Sequence, residues 1–321
     1  MSLFRRKEKY DHKGIILPFK LIPFTKYRFV GYAFSLFVTI LSIFFIVTKG
    51  FNWGLDFTGG TVVQTTFSQP ADLPKVRDTL KANGFPSAIV QTNGGVKDVM
   101  IRLSASAGDA KIGNEIKDML VTLDNGIQVL SVDFVGPNVG EELTQGAIYA
   151  TLATLLLLLA YIGLRFEWRL AVGGIVALAH DVMVTLGIFS FFQIEMDLTF
   201  VAAILSVVGY SLNDSIVVFD RVRENFRKIR RVETLEIIDI SLTQTLARTL
   251  MTSITTLFVV VSLFIFGGPT IHSFSLALLI GIAFGTYSTI YIAISVALDL
   301  GLKREHMIIK KVSKEDIEEM P

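Results

Sequence analysis

Six stretches of this sequence each hold about twenty nearly uninterrupted apolar residues, the length needed to carry a helix across roughly 30 Å of hydrocarbon. They run from Phe29 to Thr48, Gly146 to Leu164, Leu170 to Phe192, Leu198 to Phe219, from near Leu242 to near Phe266, and from Phe274 to Leu298. Composition agrees, with 51% apolar and 18% charged residues. The first stretch reads as an uncleaved anchor. Its twenty uncharged residues exceed a signal-peptide core, and Val47-Thr48-Lys49-Gly50 is not an Ala-x-Ala-like exit. The absence of cysteine excludes disulfides, thiolate metal ligands and Cys nucleophiles.

The net charge of +1 hides an asymmetry. Of thirty Lys and Arg, twenty-two fall before the first span, at Arg165 and Arg169, between Arg221 and Arg248, or after the sixth span. The other eight lie between Lys49 and Lys117, in a segment long enough to be largely exempt from the positive-inside rule. Both termini are therefore expected in the cytoplasm, with residues 1–28 as a basic N-terminus, 143–300 as a bundle of helices two to six, and 301–321 as a tail. Residues 49–142 are expected on the opposite side.

That segment shows two rounds of alternating apolar residues separated by turn signals at Asn83-Gly84, Asn93-Gly94-Gly95 and Asp124-Asn125-Gly126. Strands are predicted over Leu55 to Phe67, Ala88 to Thr92, Val99 to Leu103 and Ile127 to Val135, with helices over Leu73 to Ala82 and Ala110 to Leu123. The order β-α-β-β-α-β predicts a ferredoxin-like α+β domain. Asp56, in WGLDFTGG, reads as structural, because Gly59-Gly60 beside it signals a bulge or close backbone packing. A strand rather than a helix follows those glycines, which argues against phosphate binding.

Ionisable groups inside the spans are costly, by about 2.5–3.5 kcal/mol at a helix centre on insertion scales, and so mark candidate function. Asp214 lies five residues before the end of the fourth span. Arg248 lies about two turns into the fifth, so antiparallel neighbours would bring the two to similar depth. Polar residues repeat around each at helical spacing: Ser206, Tyr210 and Asn213 with Asp214, and Thr252, Thr255 and Thr256 with Arg248. The two stripes are expected to face each other. A carboxylate that exchanges a proton beside an arginine that stays charged is a workable proton carrier. For the hydroxyls, helix glue is the expected role. His180 and Asp181 are adjacent in the third span and about 100° apart on the helix, so they are not expected to face one partner squarely; they read as relay members or as a satisfied pair. No HExxH spacing supports a metal site. Gly281 and Gly285 form a GxxxG packing face, and RVRENFRKIRR from Arg221 reads as a positive-inside loop.

WGLDFTGG, VGPNVGEEL at 135–143, LAHDV at 178–182, GYSLNDSIVVFDRVREN at 209–225, SLTQTLARTL at 241–250 and FGGP at 266–269 together carry a resemblance. The chain resembles the SecF family, subunits of the bacterial SecD-SecF export accessory complex within the resistance-nodulation-division transporter superfamily. The resemblance implies a bacterial inner-membrane protein, not an enzyme, with residues 49–142 periplasmic. It implies that SecD and the SecYEG channel are partners, with YidC and YajC around them, and that the proton motive force helps move preprotein. Membrane lipids and the translocating preprotein complete the expected contacts, and no nucleic acid is among them. The family's functional Asp and Arg match Asp214 and Arg248, with no cofactor beyond a coupling ion, H⁺ or, as carboxylates also bind it, Na⁺. The competing reading is half of a proton-driven small-molecule or lipid exporter, against which the single small external domain argues. An intramembrane protease would need GxGD, HExxH or a Ser-His arrangement in the spans, where this chain has SLNDS.

Overall fold

A computed structural model describes residues 10–12, 15–17, 20–92, 95–103, 112–230, 232–268 and 271–307. Residues 1–9, the turn at Asn93-Gly94, the predicted helix start at Ala110, Arg231 of the basic loop, Pro269 of FGGP and residues 308–321 of the tail lie outside the described residues. A short hairpin, β1 (Tyr10–His12) and β2 (Ile15–Leu17), precedes helix α1 (Arg28–Lys49). Next come β3 (Asn52–Trp53), α2 (Leu55–Thr58), β4 (Gly60–Thr66), α3 (Leu73–Ala82), β5 (Ile89–Thr92), β6 (Asp98–Leu103), α4 (Ile112–Leu120) and β7 (Gln128–Val135). The remainder is α5 (Pro137–Arg165), α6 (Trp168–Phe192), β8 (Glu195–Met196), α7 (Leu198–Lys228), α8 (Thr234–Phe266), α9 (His272–Ser288), a π-helical turn (Thr289–Ala293) and α10 (Ile294–Asp299). The last three run on as one helix, so the described residues contain six helices long and apolar enough to cross a membrane.

Their surfaces are those of a membrane protein. Along α5, Ile148, Leu152, Leu156, Leu157 and Leu164 are all exposed, a display that water would penalise and lipid tails would not. The interior is built around α6, whose Leu170, Ala177, Val184 and Phe189 are fully enclosed. Small residues set the close approaches. A Cβ on Gly187 would come within 2.3 Å of the Ser42 side chain, and one on Gly281 within 2.2 Å of Val207 on α7. The GxxxG of the last span is thus a packing face, as its spacing suggested.

The α+β domain closes a separate core in which Val76 and Leu80 of α3 and Ile112, Ile116 and Leu120 of α4 meet Val63, Val90, Val99 and Ile101 of the sheet. The strands of its four-stranded sheet pair antiparallel in the order β5-β6-β4-β7, with Val63 opposite both Ile101 and Val132 and a bulge at Gln64/Thr65.

Several expected boundaries shift. The first domain strand begins at Gly60 rather than Leu55, because Gly59 and Gly60 hold positive φ (62° and 118°) and end a one-turn helix before the chain can extend. VGPNVGEEL is helical from Pro137, where the fixed φ of proline suits a helix start; α5 therefore begins before residue 143 and carries Glu141 and Glu142 beyond the hydrocarbon. α7 continues to Lys228, so the basic stretch is no loop: Val222, Asn225 and Phe226 are buried within it. α8 starts at Thr234, eight residues before Leu242, because Ile237, Ile238 and Ile240 join the core.

Candidate functional site

Asp214 projects from α7 into the helix interface and is only 6% exposed. Its Oδ1 accepts a hydrogen bond from Thr249 Oγ1 of α8 at 2.8 Å, while its Oδ2 is buried with no partner among the described residues. The expected direct pairing with Arg248 does not occur. Arg248 is exposed on the surface of α8 and forms no ion pair with Asp214. The cause is helical geometry: successive residues are turned by about 100°, so the rotation that aims Thr249 at α7 turns Arg248 outward.

The two polar stripes likewise do not close on each other. Tyr210 is half-buried and donates to Ser253 Oγ at 3.4 Å, but Ser206 and Asn213 on α7 and Thr252 and Thr255 on α8 are exposed. The threonines bond the carbonyls one turn back, with Thr252 Oγ1 donating to Arg248 O at 3.1 Å and Thr255 Oγ1 to Met251 O at 2.8 Å. Ser206, Asn213, Arg248, Thr252 and Thr255 thus form an outward-facing polar band at the depth of the spans.

His180 and Asp181 of α6 form a buried cluster of their own. Asp181 is fully enclosed; its Oδ1 lies 3.1 Å from His180 Nδ1, and its Oδ2 accepts from Ser211 Oγ and Ser288 Oγ, both at 2.8 Å. His180 Nε2 has no partner among the described residues. Far from pointing apart, the adjacent side chains fold onto each other. Ser211 lies three residues before Asp214 on α7, and the neighbouring Ser215 hydroxyl meets Thr289 Oγ1 at 3.0 Å in the π-helical turn. π-Turns commonly accompany functional positions, and this one is tied directly to the helix that carries Asp214. Thr249, Ser211, Ser215, Ser288 and Thr289 carried no distinguishing signal in the sequence, since Ser and Thr are frequent glue in any membrane helix.

The model of the family "Protein export membrane protein SecD/SecF, C-terminal" matches residues 115–303, and that of the "SecD/SecF GG Motif" matches residues 44–71. The chain belongs to the SecD/SecF family. Among its SecD/SecF relatives, the protein translocase subunit SecF of Haemophilus influenzae is 64% identical over the whole of both chains. That of Escherichia coli O157:H7 is 49% identical, covering 92% of this chain and 93% of its own. The crystal structure of SecDF, a translocon-associated membrane protein from Thermus thermophilus, superimposes with a TM-score of 0.80 at 34% identity over 88% of this chain. This chain spans only 39% of that longer one. A SecDF structure in a super-membrane-facing form gives a TM-score of 0.65 at the same identity. The protein is thus a multi-pass membrane component of protein transport and a SecF-type translocase subunit.

Proposed function

We propose that this chain is the SecF half of a SecD-SecF unit in the bacterial inner membrane, and that reversible protonation of Asp214 couples the proton motive force to preprotein movement through SecYEG. The observation that carries this reading is the half-satisfied carboxylate: one oxygen held by Thr249, the other buried and free to take a proton. H⁺ fits this geometry better than Na⁺, which would need several oxygen ligands around it. The outward polar band supports SecD as the other half, since an arginine left against lipid costs about 2.5–3.5 kcal/mol on insertion scales and a second helical unit would cover it. The SecDF chain of Thermus thermophilus carries a larger part beyond the region matched here, in keeping with that division.

Lys/Arg sidedness supports cytoplasmic termini and a periplasmic 49–142 segment. The antiparallel order β5-β6-β4-β7 with two crossover helices supports a ferredoxin-like domain there. YidC and YajC are further partners suggested by family likeness alone. The test is preprotein translocation into proton-pumping inverted vesicles that contain SecD with this chain. Asp214→Asn and Arg248→Met at equal assembly should each abolish gradient-dependent stimulation. Full stimulation by Asp214→Asn would overturn the reading and return the exporter alternative to the front.

A further inference from the structure

The segment Phe51–Gly60 and the turn between α6 and α7 are interlocked. β3 and β8 pair in parallel, Asn52 with Glu195 and Trp53 with Met196, and the ladder continues as Gly54 N donates to Met196 O at 2.8 Å. Asn52 Nδ2 adds a bond to Gln193 O at 2.9 Å. The approach is closer than any side chain allows: a Cβ on Gly54 would lie 2.9 Å from Met196 O and 3.0 Å from Asp197 Cα.

Directly beyond this ladder, two carboxylates share the first orphan amides of α7. Asp197 is an ordinary N-cap, its Oδ1 accepting from Phe200 N at 2.8 Å. Asp56, 142 positions away in the chain, accepts from Leu198 N at 2.9 Å through Oδ2. A helix already capped by its own chain gains little from a second cap as such; a cap delivered from so far away is a tie between two bodies. On the domain side, Arg102 of β6 closes the tie. Its Nη2 lies 2.7 Å from Glu195 Oε1, with its side chain 11% exposed, and its Nη1 donates to Trp53 O. Ser273 of α9 donates to Glu195 O at 2.9 Å, and the start of α5 packs against Gly59 at Gly140. From Leu198 to Asp214, α7 is an unbroken rod of about 24 Å.

We propose that Asp56 is a positioning residue for the Asp214 site, and that the WGLDFTGG segment is a joint, closed throughout the working cycle, which makes the water-exposed domain and α7 move as one piece. This rests on the proton-coupled reading above and assigns its external end a part. Displacement of α7 at Asp214 would then reach the domain without loss in a hinge; Gly54 serves close approach and Gly59 and Gly60 serve a fixed positive-φ turn, none of them flexibility.

This chain brings no native cysteine to the test. In the SecD-containing complex in vesicles, Trp53→Cys with Met196→Cys should cross-link on oxidation. The ratio of export with a gradient to export without one should be the same oxidised and reduced. Asp56→Ala should bring that ratio towards one. Asp56→Asn, whose amide oxygen still accepts from Leu198 N–H, should retain most of it. A general folding defect would lower export with and without the gradient alike and would not separate Asn from Ala.

Amide exchange provides a readout that needs no proton coupling: Asp56→Ala should accelerate exchange at Leu198 by about tenfold or more. Loss of stimulation on cross-linking that returns on reduction would overturn the closed joint. A wild-type ratio in Asp56→Ala would overturn the positioning role, provided that Asp214→Asn abolishes stimulation in the same preparation. If Asp214→Asn does not, the proton reading has failed, and exchange at Leu198 decides the joint alone.

Discussion

Gly173 of α6 lies under the backbone of the last span, and a Cβ there would sit 2.1 Å from Ala293 O, 3.1 Å from Ala293 C and 3.4 Å from Ala297 N. The nearest obstacle is a carbonyl inside the π-helical turn, so no rotamer change relieves it. A carbon and a carbonyl oxygen rest at about 3.3 Å, so Gly173→Ala forces the two helices apart by about 1.2 Å. Leu170, Ala177 and Ala297 around the contact are fully buried and would lose packing as the helices part. Overpacking of this kind costs about 1–3 kcal/mol. Gly163 on α5 is the control: nothing lies within 4 Å of its hypothetical Cβ, and alanine there should gain about 1 kcal/mol of helix propensity. The two alanine variants should therefore differ by about 2–4 kcal/mol in opposite directions from wild type. Reversible unfolding in mixed micelles, by titration with a denaturing detergent, measures the difference. Equal stability of the two variants, or a Gly173→Ala protein more stable than wild type, would refute this account of how the last span packs.

Ser211→Ala and Ser288→Ala should each destabilise by about 1–3 kcal/mol, because each removes one hydrogen-bond partner of the buried Asp181 carboxyl. The double variant should lose more than the sum in the same titration, since the second substitution strips the last hydroxyl from Oδ2. At the joint, burial pushes the Glu195 carboxyl above its ordinary value of 4.5, against the pull of Arg102 and with Asp197 and Asp56 adding to the shift. The folded state thus holds that proton more tightly than the unfolded chain. Its contribution is complete below 4.5 and declines as pH rises through the raised value. Thermal unfolding of wild type and Glu195→Gln should accordingly show wild type losing ground to the variant as pH is raised from 4.5 towards neutrality, and a trend the other way would refute it.

The membrane spans were legible in the sequence because length and apolarity are properties of a segment alone, and the strand and helix order of the domain was legible because alternation is local. What the sequence did not give were contacts set by helix rotation. The depth of Asp214 and Arg248 follows from counting residues, but whether Arg248 or Thr249 faces α7 depends on how α8 turns about its axis, which its neighbours decide. Helix ends were missed where charge continues past the hydrocarbon: Glu141 and Glu142 stop a hydropathy reading and yet sit within α5. Gly59-Gly60 beside Asp56 signals a bulge or close backbone packing, and Gly140 does pack against Gly59, but the 142-residue tie from Asp56 to Leu198 has no local signature.

The same tie orders assembly. Every strand of the domain sheet lies between Gly60 and Val135, so the domain's pairing is complete within one contiguous stretch and can form while the chain beyond α5 is still being synthesised. The β3-β8 ladder cannot; it waits for residues 195 and 196, which follow two further membrane crossings, α5 and α6. The domain's own pairing is thus complete in the chain before the turn between α6 and α7 exists, and its tie to the membrane bundle is the last of its strand contacts to become available.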